Sequence, residues 1–189
     1  WQAEPRERKV AQNVSLFYSE VPDANRGSER VAFGTSGHRG RAANRTFNEA
    51  HIIAITQAVV DYRAEQDYKG PVFLGYDTHE LSRPAWECVL CVLTVNKVPV
   101  MVEKNHAFTA TPLVSHAILQ YNTKRSGWTD NVKADGLIIT PSHNPPDDGG
   151  IKYNPYHGGP ADTEATQWIE LRANAYLLRQ LSDITLVSL

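Results

Sequence analysis

A chain of 189 residues with a formal net charge of −2 suits one large domain with a substantial core, and its charge gives no reason to expect nucleic acid or an acidic membrane as partner. Lys and Arg are scattered without a basic run, no apolar stretch reaches the roughly 18–20 residues of a membrane span, and Trp1 to Lys9 is too polar for a secretory leader. Only two cysteines occur, which argues against a disulfide scaffold and fits a reducing cytoplasm.

Residues 1–30 read as an arm, with one short helix near Val10 to Tyr18 and then a loop or mobile stretch through Pro22 to Ser28. Val31 to Gly34 is expected to be a short strand. Thr46 or Asn48 caps a helix over Glu49 to Gln66, where Ile52, Ile53, Ile55, Val59 and Tyr62 fall near helical spacing. Pro71 to Tyr76 reads as a strand. Ser82 is expected to cap a helix with Pro84 in its first turn, running to about Asn96. Val98 to Glu103 is a strand, and Thr111-Pro112 opens a helix through Tyr121. A polar loop covers Asn122 to Asn131. Leu137 to Thr140 is a strand, and Ile151 to Tyr153 a short strand or extended return. Asp162 opens the last helix, to about Leu178, and Ile184 to Val187 forms an apolar tail. Strands alternating with helices predict an α/β fold, a three-layer α/β/α sandwich with ligand loops beyond the carboxyl ends of its strands. Internal repeats and low-complexity tracts are absent.

The most informative stretch is Thr140-Pro141-Ser142-His143-Asn144-Pro145-Pro146, followed by Asp147-Asp148-Gly149-Gly150-Ile151-Lys152-Tyr153-Asn154. It lies just past the apolar run Gly136 to Ile139. The two prolines stiffen its exit, and the glycines allow close approach. Such a loop holds one hydroxyl at a strand end with an imidazole beside it and an ammonium further on, as a nucleophile or phosphate carrier needs. A capping or turn role is the common fate of a serine beside proline. Asp147 and Asp148 could ligate Mg²⁺ through oxygen, but Asp-Gly is also a turn signal, and a turn is the preferred reading. Asn144 can brace the loop by side-chain-to-backbone hydrogen bonds. Asp77, in Gly75-Tyr76-Asp77-Thr78-His79, sits at a strand end, where capping explains it.

A second motif is Val31-Ala32-Phe33-Gly34-Thr35-Ser36-Gly37-His38-Arg39-Gly40. Its glycines suit close approach to an anion, and Arg39 adds a fork shaped for phosphate. By spacing alone, a tight turn is at least as good a reading. The pattern is neither a Walker A loop nor a dinucleotide fingerprint. Cys88 and Cys91 read as small apolar residues on a buried helix face in preference to a redox pair or half a zinc site. The seven histidines lack ligand spacing.

Together the two motifs resemble those of the α-D-phosphohexomutases, in the bacterial phosphoglucomutase form. They stand about a hundred residues apart in the family's order, and the resemblance runs from Val31 to about Leu178. It implies a mixed sheet and makes 31–180 the catalytic-serine domain, with 181–189 the start of a linker. It implies that Ser142 carries a phosphoryl group between the positions of a hexose phosphate, interconverting glucose 1-phosphate and glucose 6-phosphate through glucose 1,6-bisphosphate. His143 and Lys152 become candidates for proton handling and charge neutralisation, and Lys152 matches the family's catalytic lysine. Arg39 joins the catalytic set. Thr35, Ser36, Arg39, Asn144 and Lys152 become phosphate or substrate contacts. Mg²⁺ is implied as cofactor, held by Ser142 through its phosphate and by an aspartate loop that this chain does not contain. The chain starts with Trp and has room for about one of the family's four domains, so a longer parent protein that continues past Leu189 is expected. The remaining domains then become partners, and the 189 residues are expected to be inactive alone. Two alternatives are a non-catalytic phosphosugar-binding or interaction domain, and a mutase for another hexose phosphate.

Overall fold

The structure, a computed structural model, describes residues 6–34, 37–124 and 132–185. Five helices and five strands follow in the order α1 (Arg6–Ser19), β1 (His38–Arg41), α2 (Glu49–Glu65), β2 (Val72–Tyr76), α3 (Ser82–Val95), β3 (Val100–Val102), α4 (Thr111–Lys124), β4 (Asp135–Ile139), β5 (Asp148–Asn154) and α5 (Thr163–Leu178) among those residues. The strands form one mixed sheet in the order β1-β5-β4-β2-β3. β2 runs parallel to both β3 and β4, while β5 is antiparallel to β4 and to β1.

Alternation along the strands divides the side chains between two faces. Val72, Leu74, Tyr76, Leu137, Ile139, Ile151 and Tyr153 enter the main core with α2, α3 and α5. Phe73 and Ile138 point the other way and pack with Val114 and Ile118 of α4. The result is the expected α/β/α layering over a mixed sheet. No helix among the described residues is long and apolar enough to cross a membrane.

Several elements differ from expectation. Val31 to Gly34 is not a strand, apart from a single bridge between Phe33 and His38. Its backbone groups go to side chains of α5: Val31 N–H donates to Asn174 Oδ1 and its carbonyl accepts from Asn174 Nδ2, both at 2.9 Å, and Phe33 N–H donates to Glu170 at 2.7 Å. The strand begins at His38 and includes the last three residues of the glycine motif, His38 to Gly40. β5 starts at Asp148, because the Asp-Gly-Gly segment continues a ladder and does not end in a turn. Ser82 does not cap α3; Leu81 precedes that helix, and the Ser82 hydroxyl donates to Asp77 Oδ1 at 2.6 Å. α4 runs three residues further, to Lys124, and 125–131, where a polar loop is expected, lie outside the described residues.

The arm is packed, not detached. Phe17 of α1 is fully buried and faces the ring of Phe47, 6.2 Å away. Asn48 Nδ2 donates to the Leu16 carbonyl at 3.0 Å. At the other end of the tail Ile184 packs on the main core, while Leu186 and Val187 lie outside the described residues. Cys88 is buried and Cys91 half-buried on α3, and burial pushes both thiols up, the reverse of a reactive thiolate.

Two buried histidines join β1 to α2. The rings of His38 and His51 stack with centroids 5.3 Å apart. His51 Nδ1 accepts from the Asn48 N–H at 3.2 Å and Nε2 donates to the Glu29 carbonyl at 3.0 Å. His38 Nε2 donates to the Thr46 carbonyl at 2.8 Å, leaving Nδ1 to accept from the Ala32 N–H at 3.2 Å. His38 Nδ1 also lies 3.2 Å from the Ala32 carbonyl oxygen, so for His38 it is burial that holds the ring neutral, whereas His51 has one donor and one acceptor nitrogen. Desolvation lowers both pKa values, His51 to about 3, with the neighbouring His38 adding to the shift. The unfolded chain binds protons below the ordinary value of 6.5 that the folded chain refuses. Stability is thus complete above that pH and falls below it, by up to about 1.4 kcal/mol per pH unit for each imidazole. Thermal melts between pH 7 and pH 5 should show this decline, and His51→Gln should flatten it while lowering the melt at pH 7. A melt independent of pH over this range would show that the pair is not protonated on unfolding.

Candidate active site

Ser142 sits on the loop between β4 and β5, at the carboxyl end of β4. Its φ is +71°, a left-handed conformation that a residue with a Cβ adopts only when its surroundings impose it. The side chain is exposed, and Lys152 Nζ donates to Ser142 Oγ at 2.8 Å. This contact follows from register. The ladder pairs Ile138 with Lys152 and continues past β4 as Thr140 N–H donates to the Gly150 carbonyl at 2.8 Å. A Cβ on Gly150 would stand 2.4 Å from the Thr140 carbonyl oxygen and 2.7 Å from Pro141 Cα, so only glycine lets the loop fold down over β5.

Arg39 comes to the same place from the other side. On β1 it pairs with Gly150, with His38 turned into the core and Arg39 turned out toward Lys152. Lys152 is half-buried, and burial lowers its pKa; the charge of Arg39 lowers it further and that of Asp77 opposes the shift. An ammonium at a hydroxyl, with a guanidinium charge beside it, is an arrangement for an anion on that hydroxyl.

The loop is tied down by its other polar side chains. Asn144 Nδ2 donates to Asp148 Oδ2 at 2.9 Å, and Asp148 Oδ1 receives Arg41 Nε at 2.5 Å. Asn144 therefore braces the loop through a side-chain contact, whereas a side-chain-to-backbone bond is the sequence expectation. Asp147 Oδ2 is 3.4 Å from Arg41. His143 is exposed and makes no hydrogen bond with the described residues, which leaves its imidazole facing solvent beside Ser142. Thr35 and Ser36 lie outside the described residues. Sequence reasoning misses Arg41 and His79 and gives Asp77 only a capping role. His79 Nε2 is 3.0 Å from the Asn144 carbonyl and Asp77 Oδ2 is 2.9 Å from His79 Nδ1. The only signal in the sequence is their place at the end of β2, and it has value once β2 is known to lie next to β4.

Among the described residues, no group of three or more His, Cys, Asp or Glu side chains is placed to hold a metal ion. The surroundings of Ser142 Oγ are cationic. The side chains of the described residues do not by themselves make a magnesium site.

Residues 30–180 match the phosphoglucomutase/phosphomannomutase α/β/α domain I. The chain belongs to the phosphoglucomutase/phosphomannomutase family. Among its relatives, a phosphoglucomutase of Komagataeibacter xylinus is 50% identical over 175 residues, 93% of this chain and 31% of the relative. One of Schizosaccharomyces pombe is 31% identical over 141 residues, 72% of this chain and 23% of the relative. The solved open form of the Paramecium phosphoglucomutase pp63/parafusin superposes with a TM-score of 0.62 at 26% identity, over 82% of this chain and 26% of that one. The chain thus spans less than a third of the length of these relatives.

The glycine motif carries a steric demand of its own. A Cβ on Gly37 would lie 2.3 Å from the Ile151 carbonyl oxygen and 2.9 Å from Lys152 Cγ, and the first of these is backbone that cannot step aside. Gly37→Ala should therefore cost about 1–3 kcal/mol of stability, a typical penalty for overpacking, and should displace Lys152 from Ser142. A melt unchanged from the parent would show that β1 can retreat without loss.

Proposed function

We propose that this domain carries the phosphoryl group of a phosphoglucomutase on Ser142 and that the substrates are glucose 1-phosphate and glucose 6-phosphate. The observation that supports this best is the 2.8 Å contact from Lys152 Nζ to Ser142 Oγ, beside the charge of Arg39. The names of the relatives support glucose as the sugar. In this reading 31–180 is the serine-bearing domain, 1–30 is an arm added to it, and 181–189 begins a linker to further domains that complete the enzyme. The free thiols of Cys88 and Cys91 suit a reducing cytoplasm.

A phosphoryl group on Ser142 adds about −1.5 to −2 charges. Arg39 and Lys152 stand where that charge would lie, so binding it relieves the repulsion between the two cations. Transfer breaks the bond from phosphorus to Ser142 Oγ and forms one from phosphorus to a sugar hydroxyl oxygen. Negative charge develops on Oγ as it leaves. Lys152 donates its hydrogen bond to that very atom, and its lowered pKa eases full proton transfer to it. The proton of the attacking hydroxyl needs an acceptor, and the exposed imidazole of His143 next to Ser142 is the candidate. The sugar is left as glucose 1,6-bisphosphate, and return of its other phosphoryl group to Ser142 completes the isomerisation. Most of the acceleration is positioning and charge stabilisation, as in other phosphoryl transfers. Mg²⁺ belongs to the proposal as a cation that would supply further charge neutralisation, with the Ser142 phosphate as a ligand.

Ser142→Ala should abolish turnover in the whole enzyme, because its hydroxyl is the one that Lys152 addresses. Incubation with labelled glucose 1,6-bisphosphate followed by phosphopeptide mapping should place the label on Ser142. Label on Thr140, or on no residue, would overturn the assignment.

Lys152→Ala should lower kcat by roughly 10²–10³-fold, the typical loss on removing one preorganised donor from a developing charge, with KM changed far less. An effect confined to KM would reduce Lys152 to a binding residue.

A further inference from the structure

The segment Asp77-Thr78-His79 follows β2, which lies beside β4 in the sheet, so it stands next to the serine loop. Asp77 Oδ1 accepts from the Ser82 hydroxyl at 2.6 Å and from the His79 N–H at 3.0 Å. These two bonds are ordinary capping. Two further contacts reach the loop. The Thr140 side chain lies close enough to the Asp77 carboxylate to help lower its pKa, and Thr140 Oγ1 accepts from the Ser142 N–H at 2.9 Å. On the other limb, Asp77 Oδ2 meets His79 Nδ1 at 2.9 Å, and His79 Nε2 meets the Asn144 carbonyl at 3.0 Å. One carboxylate thus grips the loop on both sides of Ser142. The next residue, Glu80, extends the hold: its N–H donates to the Pro146 carbonyl at 3.3 Å. Its carboxylate accepts from Asn13 Nδ2 at 3.0 Å, and that amide also donates to the Asp147 carbonyl at 3.3 Å.

We infer that Asp77, acting through Thr140 and His79, is a positioning residue that holds Ser142 in its left-handed conformation with Oγ turned to Lys152. The inference rests on Ser142 being the phosphoryl carrier. A φ of +71° is unfavourable for serine and needs fixed anchors before and after it. The Ser142 N–H and the Asn144 carbonyl are those anchors. Burial works to raise the Asp77 carboxyl, but the bonds from Ser82, Thr140 and the His79 N–H outweigh it and keep the group ionised, an acceptor at both oxygens. Asparagine in its place has nearly the same shape but turns one oxygen into a donor that faces other donors.

The test has two arms. In the 189-residue chain, amide exchange and ¹⁵N relaxation are measured at Ser142 and across β4 for the parent, Asp77→Asn, Thr140→Val and Thr140→Ser. Loosening at Ser142 is expected in Asp77→Asn and Thr140→Val, with Leu137 and Ile139 still protected and Thr140→Ser close to the parent. In the whole enzyme, Asp77→Asn and His79→Ala should lower kcat by about 10- to 100-fold, the scale of a reacting group misplaced by an ångström, with KM nearly unchanged. His79→Gln, which restores a donor for the Asn144 carbonyl, should recover part of the loss. A cap for α3 alone would lower the melt without moving Ser142, and unchanged Ser142 dynamics in Asp77→Asn would overturn the inference. So would loosened Ser142 with parental kcat. A parent enzyme without mutase turnover would instead remove the functional reading; the exchange arm would then decide by itself, with loosening supporting the positioning role and parental protection overturning it.

Discussion

The register of β5 between β4 and β1 is the constraint from which the site follows. Ile138 pairs with Lys152 on one side, and Arg39 pairs with Gly150 on the other. Neighbouring strands lie about 4.7–4.9 Å apart, so residues 140–147 must leave β4 and return as β5 within one strand spacing. The chain manages this by folding the loop over Gly150, where no side chain stands in the way. Ser142 then hangs over the ammonium of Lys152, and Arg39 arrives from the far strand. A slip of one residue in β5 would turn Lys152 into the core and Ile151 out to solvent. Burial of Ile151 and Tyr153 in the main core forbids that slip, so hydrophobic packing on one face sets the chemistry on the other.

Holding this arrangement costs free energy locally. Burial disfavours the Lys152 ammonium and the charge of Arg39 adds to this, and Ser142 is in a conformation that costs on the order of 1–3 kcal/mol. Around the loop the bonds from Arg41 to Asp148, Asn144 to Asp148, His79 to Asn144 and the Ser142 N–H to Thr140 oppose that cost. The strain is concentrated where an anion would remove it, since a phosphate between the two cations turns their repulsion into attraction. Structure that is unfavourable when empty and favourable when loaded is what a phosphoryl carrier requires.

The layering was legible because the apolar runs are long and periodic: Ile52 to Val59 at helical spacing, and Leu137 to Ile139 as a buried strand. β1 was not, because His38-Arg39-Gly40-Arg41 has no apolar residue; its inward side chain is a histidine satisfied by backbone carbonyl and N–H groups. The length of β5 was hidden by Asp148-Gly149-Gly150, a turn composition that here serves close approach to Phe47 and Pro141. In the site, Ser142, Lys152 and Arg39 could be named from their motifs. The contacts of Asp77 and His79 with the serine loop could not, because they depend on β2 lying beside β4, a fact of strand order that local sequence does not carry. Nor could the packing of α1, since a mostly polar helix shows its one buried anchor, Phe17, only once Phe47 has been brought beside it.

β1 also ties the site to the most acid-sensitive part of the core. Successive residues of a strand face opposite ways, so His38 and Arg39 are the two sides of one short element. His38 is fixed inward by its stack on His51 and by its bond to the Thr46 carbonyl. Arg39 is fixed outward by the same backbone. Protonating His51 replaces its acceptor nitrogen by a donor that faces the Asn48 N–H, and a charge on either ring is held away from solvent. β1 is an edge strand of four residues, paired on one side to β5 and held at its far end by Arg41, whose N–H donates to Thr46 Oγ1 and whose carbonyl accepts from the Thr46 N–H. Loss of the inward contacts therefore loosens the His38 end of β1, next to Arg39, whose charge adds to the effect of burial on the Lys152 pKa. The neutral state of two buried histidines is in this way a condition for the charge arrangement at Ser142, although neither ring touches it.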